Sequence, residues 1–188
     1  MSSSTTGLVL AAGGSSRLGE PKQILPYRGT TLLGHVLDTA RACPFDQRIV
    51  VLGGANEHIR DKVDLSGFDL ILNESFGEGC SSSIAAALSA VRGDTMVLLL
   101  GDQPGVEAGH VTKLLEGRGD APLAACRYDD GRGHPLAFAR STFAELQELH
   151  GDKGVWKLLD RSEVVEVPVE GRIPLDVDTW DDYRAVTA

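Results

Sequence analysis

Leu8-Val-Leu-Ala-Ala-Gly-Gly-Ser-Ser-Arg-Leu-Gly-Glu-Pro-Lys22 is an apolar strand that runs directly into a glycine-rich loop. The loop carries two cations, Arg17 and Lys22. Glycines let backbone N–H groups come close to an anion, and the cations add charge to that cradle. Two common phosphate motifs do not fit. A Rossmann fingerprint needs glycine at 14, 16 and 19, and position 16 is Ser16. A Walker A loop would place Lys-Ser/Thr directly after Gly19, where Glu20 and Pro21 stand instead. As an isolated stretch it is equally a tight strand-to-loop turn with two surface cations.

Outward from this loop, short apolar runs alternate with helical patterns. Strands are expected at Gly7–Ala12, Arg48–Gly53, Asp69–Asn73 and Thr95–Leu100. Helices are expected near Thr31–Ala42, Asn56–Val63 and Ser81–Val91. Thr95–Leu100 is continuous in Val, Leu and Met, the pattern of a strand buried on both faces. Strand, helix, strand in repetition predicts an α/β fold: a mostly parallel sheet between helical layers, three layers in all, with right-handed crossovers. The second half is less regular. Helical stretches are expected at Val106–Leu115, Ser141–Leu149, Lys153–Leu159 and Trp180–Val186. Strands are expected at Pro122–Arg127 and Leu136–Ala139, one of them antiparallel, and at Glu163–Val169.

The chain of 188 residues suits one domain, 1–188, with a sizeable core and no linker. A net charge of −9 argues against a nucleic-acid partner, which needs a basic face, but not against a single nucleotide. Cys43, Cys80 and Cys126 are widely spaced, as for reduced thiols in a cytoplasmic protein. Met1–Thr6 is Ser/Thr-rich without the basic region of a signal peptide and is expected to be a disordered tail. Apolar runs are strand-sized, so no membrane association is expected.

With the four early strands ordered third-second-first-fourth, the first and fourth are neighbours at the switch point where ligands bind. The fourth exits into Gly101-Asp-Gln-Pro104. A carboxylate there is poorly explained by packing and points to a metal, although Asp102 also suits a helix cap or a turn. In Pro174-Leu-Asp-Val-Asp-Thr179, Asp176 and Asp178 alternate with apolar residues and should share one face of a short strand. Asp178-Thr179 equally suits a cap for the last helix. Gly131-Arg-Gly-His-Pro135 reads as a flexible loop that presents His134, or as a solvent-facing hairpin tip. Gly151-Asp-Lys-Gly154 is, as plain chemistry, a helix N-cap. Gly77-Glu-Gly-Cys-Ser-Ser-Ser83 opens a helix whose free N–H groups suit a phosphate or ribose, and a good N-cap alone explains it nearly as well.

Together these stretches resemble the MobA/MocA-like NTP transferase family, and within it the molybdenum cofactor cytidylyltransferases. The opening loop is similar to L-A-A-G-x-S-x-R-[ML]-G-x-x-K, and Gly101–Pro104 to G-D-[MQ]-P. Later segments resemble G-x-P, G-D-[KR]-G and D-[IV]-D-T-x-[ED]-D-[YL], in family order from Leu8 to Tyr183. The resemblance implies the nucleotide-diphospho-sugar transferase fold, which is Rossmann-like and glycosyltransferase A-like. It implies catalytic roles for Arg17, Lys22 and Asp102. Nucleotide contacts are implied for Leu10, Ala11, Ala12, Gly13, Gly14, Ser15, Lys22, Pro26, Gly79, Ser82 and Asp102. Acceptor contacts are implied for His134, Asp152 and Lys153. Mg2+, with Mn2+ as a substitute, would be held by Asp102 and by Asp178 rather than Asp176. The implied reaction moves CMP from CTP onto molybdopterin or the molybdenum cofactor, with a molybdoenzyme or its maturation factor downstream. Leu10-Ala-Ala-Gly13 differs from the L-A-G-G of guanylyl relatives, and Leu25-Pro-Tyr27 resembles the cytidylyl L-P-[WY]. The competing readings are GTP as donor, a sugar phosphate or another cofactor as acceptor, an oxidoreductase of catabolism, and a non-catalytic molybdopterin carrier.

Overall fold

The computed structural model describes residues 4–188. β1 (Thr5–Ala11) leads through the glycine-rich loop and a 3-10 turn to a small hairpin, β2 (Pro26–Tyr27) and β3 (Thr30–Thr31). Then come α1 (Leu32–Ala42), β4 (Gln47–Leu52), α2 (Asn56–Lys62), β5 (Asp69–Leu72) and α3 (Cys80–Leu88). β6 (Thr95–Leu100), α4 (Ala108–Arg118), β7 (Leu123–Tyr128) and β8 (Gly131–Ala139) follow. The chain closes with α5 (Phe143–Gln147), α6 (Gly154–Arg161), β9 (Val165–Pro168) and α7 (Trp180–Thr187).

Seven strands form one sheet in the order β5-β4-β1-β6-β8-β7-β9. The first four are parallel neighbours, as expected, and β8 runs antiparallel to both β6 and β7. Alternate side chains of the central strands enter different layers. Val9, Val50, Val97 and Leu99 pack with α1, α2 and α4, whereas Leu8, Leu10, Ile49 and Leu98 pack with α3, α5 and α6. That is the pleat of a sheet covered on both faces, and it accounts for the continuous apolar runs.

Three expectations are corrected. The tail assigned to Met1–Thr6 ends sooner: β1 begins at Thr5, whose neighbour Thr6 is buried and donates to Gln47 Oε1 at 2.9 Å. Met1–Ser3 lie outside the described residues. Residues 131–135 are neither loop nor hairpin tip but the first half of the nine-residue β8, its register broken by a bulge against β7. Residues 174–178 form no strand; they make an irregular strap across the carboxyl end of β6, anchored by Val177 N donating to Asp102 O at 3.0 Å. The expected alternation survives without a ladder, because Val177 is fully buried with Tyr27 and Leu32.

Candidate active site

Leu10 and Leu100 are register partners on adjacent parallel strands, so the segments leaving β1 and β6 emerge together. Gly101 N donates to Leu10 O at 2.8 Å, extending the pairing by one residue and leaving Asp102 at the sheet's edge. On the β1 side the loop is closed by its own side chains. Ser15, at φ 51°, accepts from Lys22 N at 2.9 Å, and Gln23 Nε2 donates to Ala11 O at 2.8 Å and Gly13 O at 3.1 Å. Gln23 is buried; it shapes the loop and was not singled out from the sequence.

This closure turns Lys22 inward. Its ammonium lies 2.5 Å from Asp102 Oδ2 and 2.7 Å from Asp178 Oδ1, with side-chain exposures of 9% for the lysine and 24% and 45% for the two aspartates. Burial alone would lower the lysine's pKa, but Asp102 and Asp178 outweigh it and hold the ammonium above its ordinary value. Asp176, on the same strap, is pushed up to about 6, first by loss of water around it and then by the carboxylates of Asp102 and Asp178. The strap is fastened by Gln103, fully within the fold, whose Nε2 donates to Pro174 O at 2.9 Å.

Beside these charges opens a cleft of about 270 Å3. Leu10, Ala12 and Gly13 line one wall, and Asp102, Asp176 and Asp178 the carboxylate end. Gly79 and Asp152 line the far wall, so seven of the expected site residues, together with Asp176, converge there. Ala11 and Lys22 border a 40 Å3 void adjoining it. Four residues not expected as contacts also line the cleft: Leu100 and Phe76, and Cys80 and Ser83 of the Gly77–Ser83 stretch. Phe76 is 37% exposed, and its ring is seated over Gly53 and Gly54, where any Cβ would come within 2.9 and 2.7 Å of it. An aromatic one step before a G-x-G was the available signal. Burial raises the Cys80 thiol to about 11, assisted by Asp152 and Asp102, so it stays protonated at neutral pH.

Other expected residues are placed elsewhere. Ser82 faces a separate cavity, its hydroxyl donating to Ser75 O and Gly79 O; Ser83, one position on, faces the cleft. Pro26 sits in the β2–β3 hairpin, where its carbonyl accepts from Tyr183 Oη, away from the cleft lining. The start of α3 is not free. Asp152 Oδ1 accepts from Cys80 N at 3.1 Å and Gly151 O from Ser81 N at 3.3 Å, so Asp152 closes this helix end while it also lines the cleft. Lys153 is exposed outside the cleft lining, and His134 is buried edge-on against Trp156, where desolvation lowers its pKa to about 4. Gly14 and Arg17 stand exposed on the loop, and Arg17 makes no ion pair among the described residues.

The donor set suits a hard divalent cation. Two carboxylates from distant parts of the chain converge on one point, all donors are oxygen, and the local charge is negative beyond what one lysine neutralises. Among the described residues no group of three or more His, Cys, Asp or Glu forms a cage, so groups from outside the chain would have to complete the coordination of such an ion.

Residues 7–167 match the MobA-like NTP transferase domain family. The chain is 31% identical over 159 residues to nicotine blue oxidoreductase of Paenarthrobacter nicotinovorans, covering 79% of this chain and 78% of that one. It is 28% identical over 181 residues to the molybdenum cofactor cytidylyltransferase of Escherichia coli (strain K12), covering 94% and 92%. Among solved structures, Rv0371C from Mycobacterium tuberculosis H37Rv, crystallised as a complex with manganese, is 47% identical with a TM-score of 0.89 over 98% of each chain. More distant nucleotidyltransferases, at 22% identity or less, share the nucleotide-diphospho-sugar transferase fold.

Proposed function

The chain belongs to the MobA-like NTP transferase family of nucleotidyltransferases, and on that premise we propose that it transfers CMP from CTP to the terminal phosphate of molybdopterin or the molybdenum cofactor, releasing pyrophosphate. The observation that carries this reading is the meeting of Lys22, Asp102 and Asp178 at the mouth of the glycine-rich loop. A phosphate oxygen of the acceptor attacks the α-phosphorus of the nucleotide, a new P–O bond forms, and the bond to the β-phosphate oxygen breaks. The attacking oxygen is already anionic, so no general base is required. Catalysis then consists of positioning and charge stabilisation.

The Gly13–Gly14 backbone and Lys22 hold the triphosphate, with Arg17 closing over it from the exposed side of the loop. Asp102 and Asp178 would hold Mg2+ or Mn2+, which would supply neutralisation of the phosphate charge when bound. Ala12, with its methyl in the cleft wall, narrows the base site and favours a pyrimidine over a purine. The likeness to a cytidylyltransferase over nearly the whole chain supports the same donor and acceptor. The deciding experiment is pyrophosphate release from CTP, GTP, ATP and UTP, with and without molybdopterin. Release that requires both CTP and molybdopterin is expected. A clear preference for GTP overturns the donor, and release with a sugar phosphate but not with molybdopterin overturns the acceptor.

A further inference from the structure

We propose that Lys22 is the resident counter-ion of the Asp102–Asp178 pair, competes with a divalent cation for it, and gives it up readily only when the triphosphate draws the ammonium off. Nucleotide and metal then enter as one event, and metal binding to the free protein is suppressed. The inference rests on the reading of Asp102 and Asp178 as the metal-holding pair.

Space and charge both support it. The ammonium touches one oxygen of each carboxylate, at 2.5 and 2.7 Å. A magnesium-sized ion needs oxygens at about 2.0–2.1 Å and prefers ideal geometry, and the ammonium occupies the point where both carboxylates can reach one cation, so the two compete for it. Two cations held that close repel in a site with little water around the lysine. Lys22 also has somewhere to go. A Cβ built on Gly13 would stand 4.0 Å from Lys22 Cε, so the end of the side chain already lies against the phosphate loop. A rotation of its last bonds exchanges carboxylates for triphosphate oxygens. The triphosphate thus removes one cation from the pair and presents oxygens for another. By linkage, nucleotide tightens metal binding and metal tightens nucleotide binding by the same factor.

The test is Mn2+ titration of the full chain without nucleotide, read from the paramagnetic resonance of free Mn2+. Lys22→Met should bind Mn2+ about 5–150-fold more tightly than the wild type, the usual span of a coupling between sites. Lys22→Arg, which keeps the charge, should resemble the wild type. Asp102→Asn in the Lys22→Met background should abolish the gain. If Lys22→Met and wild type bind Mn2+ equally while Asp102→Asn weakens both, the exchange is overturned and the metal pair stands. If Asp102→Asn changes Mn2+ binding in neither background, the metal pair itself is wrong and the exchange falls with it. A second readout needs no variant: acylation of Lys22, followed by peptide mass spectrometry, should be slow in the free protein and several-fold faster at saturating Mn2+. An unchanged rate at saturating Mn2+ overturns the proposal even if Lys22→Met does not fold.

Discussion

Asp102 and Asp178 grip a single ammonium while Asp176 lines the same cleft without touching it, and three substitutions separate their roles. Asp102→Asn and Asp178→Asn should each lower Mg2+-dependent pyrophosphate release by about a hundredfold or more, the cost of removing one preorganised charge contact in a transition state. Asp176→Asn, which lacks contact with Lys22, should be milder. Far-UV circular dichroism should show all three folded, and near-wild-type turnover in Asp102→Asn would refute its role. These residues were legible because each breaks a local rule: a carboxylate at the exit of a buried strand, a lysine inside a glycine turn, acids alternating with buried apolar residues. Gln23 breaks none. An amide beside a lysine looks like ordinary surface polarity until the loop folds back and offers it two carbonyls. Ser82 and Ser83 differ by one helical step of about 100°, finer than a sequence-based helix boundary resolves.

At the scale of elements, the parallel half of the sheet was readable from its continuous Val and Leu runs, and β8 was not. Gly131-Arg-Gly-His-Pro135 has turn composition, yet its first three residues pair with β7, and Tyr128 Oη donates to His134 O at 2.7 Å. Tertiary pairing overrode local preference. The consequence is measurable through His134. In the folded protein it takes a proton only near pH 4, in the unfolded chain near 6.5, so unfolding takes up a proton between these values. Stability is therefore complete above about pH 6.5 and declines as pH falls towards 4, by at most about 3 kcal/mol. His134→Phe, which keeps the ring against Trp156, should flatten this part of a urea-denaturation series against pH. An unchanged slope would show that other groups set it. The β4–α2 corner gives a second prediction. A Cβ at position 53 would lie 2.5 Å from Ala12 O and 2.9 Å from Phe76 Cγ. Gly53→Ala should cost about 1–3 kcal/mol in denaturant unfolding, the range for overpacking, by forcing the loop and the Phe76 segment apart. A loss below a few tenths would mean that the loop yields freely.

Across the whole molecule the net charge is −9, so affinity of the cleft for the proposed nucleotide has to come from the few cations and N–H groups at its mouth. Binding there should be visible as global stabilisation. CTP with Mn2+ at a hundred times its dissociation constant adds about 2.7 kcal/mol, or roughly 5–10 °C in Tm for a chain of this size. Mn2+ alone should shift Tm far less, and GTP less than CTP in a melting scan. Equal shifts from Mn2+ alone and from the pair would contradict linked entry. One feature also bears on how the protein comes into being. Lys22 and Asp178 are 156 positions apart, and the strap that joins them is fastened to the end of β6. During synthesis the parallel strands are available early, and domains begin to fold as they emerge. The nucleotide loop is therefore made long before its acidic partner. A chain still on the ribosome has the loop without the carboxylate that meets it, and the charge contact forms only once Asp178 has emerged, which makes the strap a completion signal written in charge.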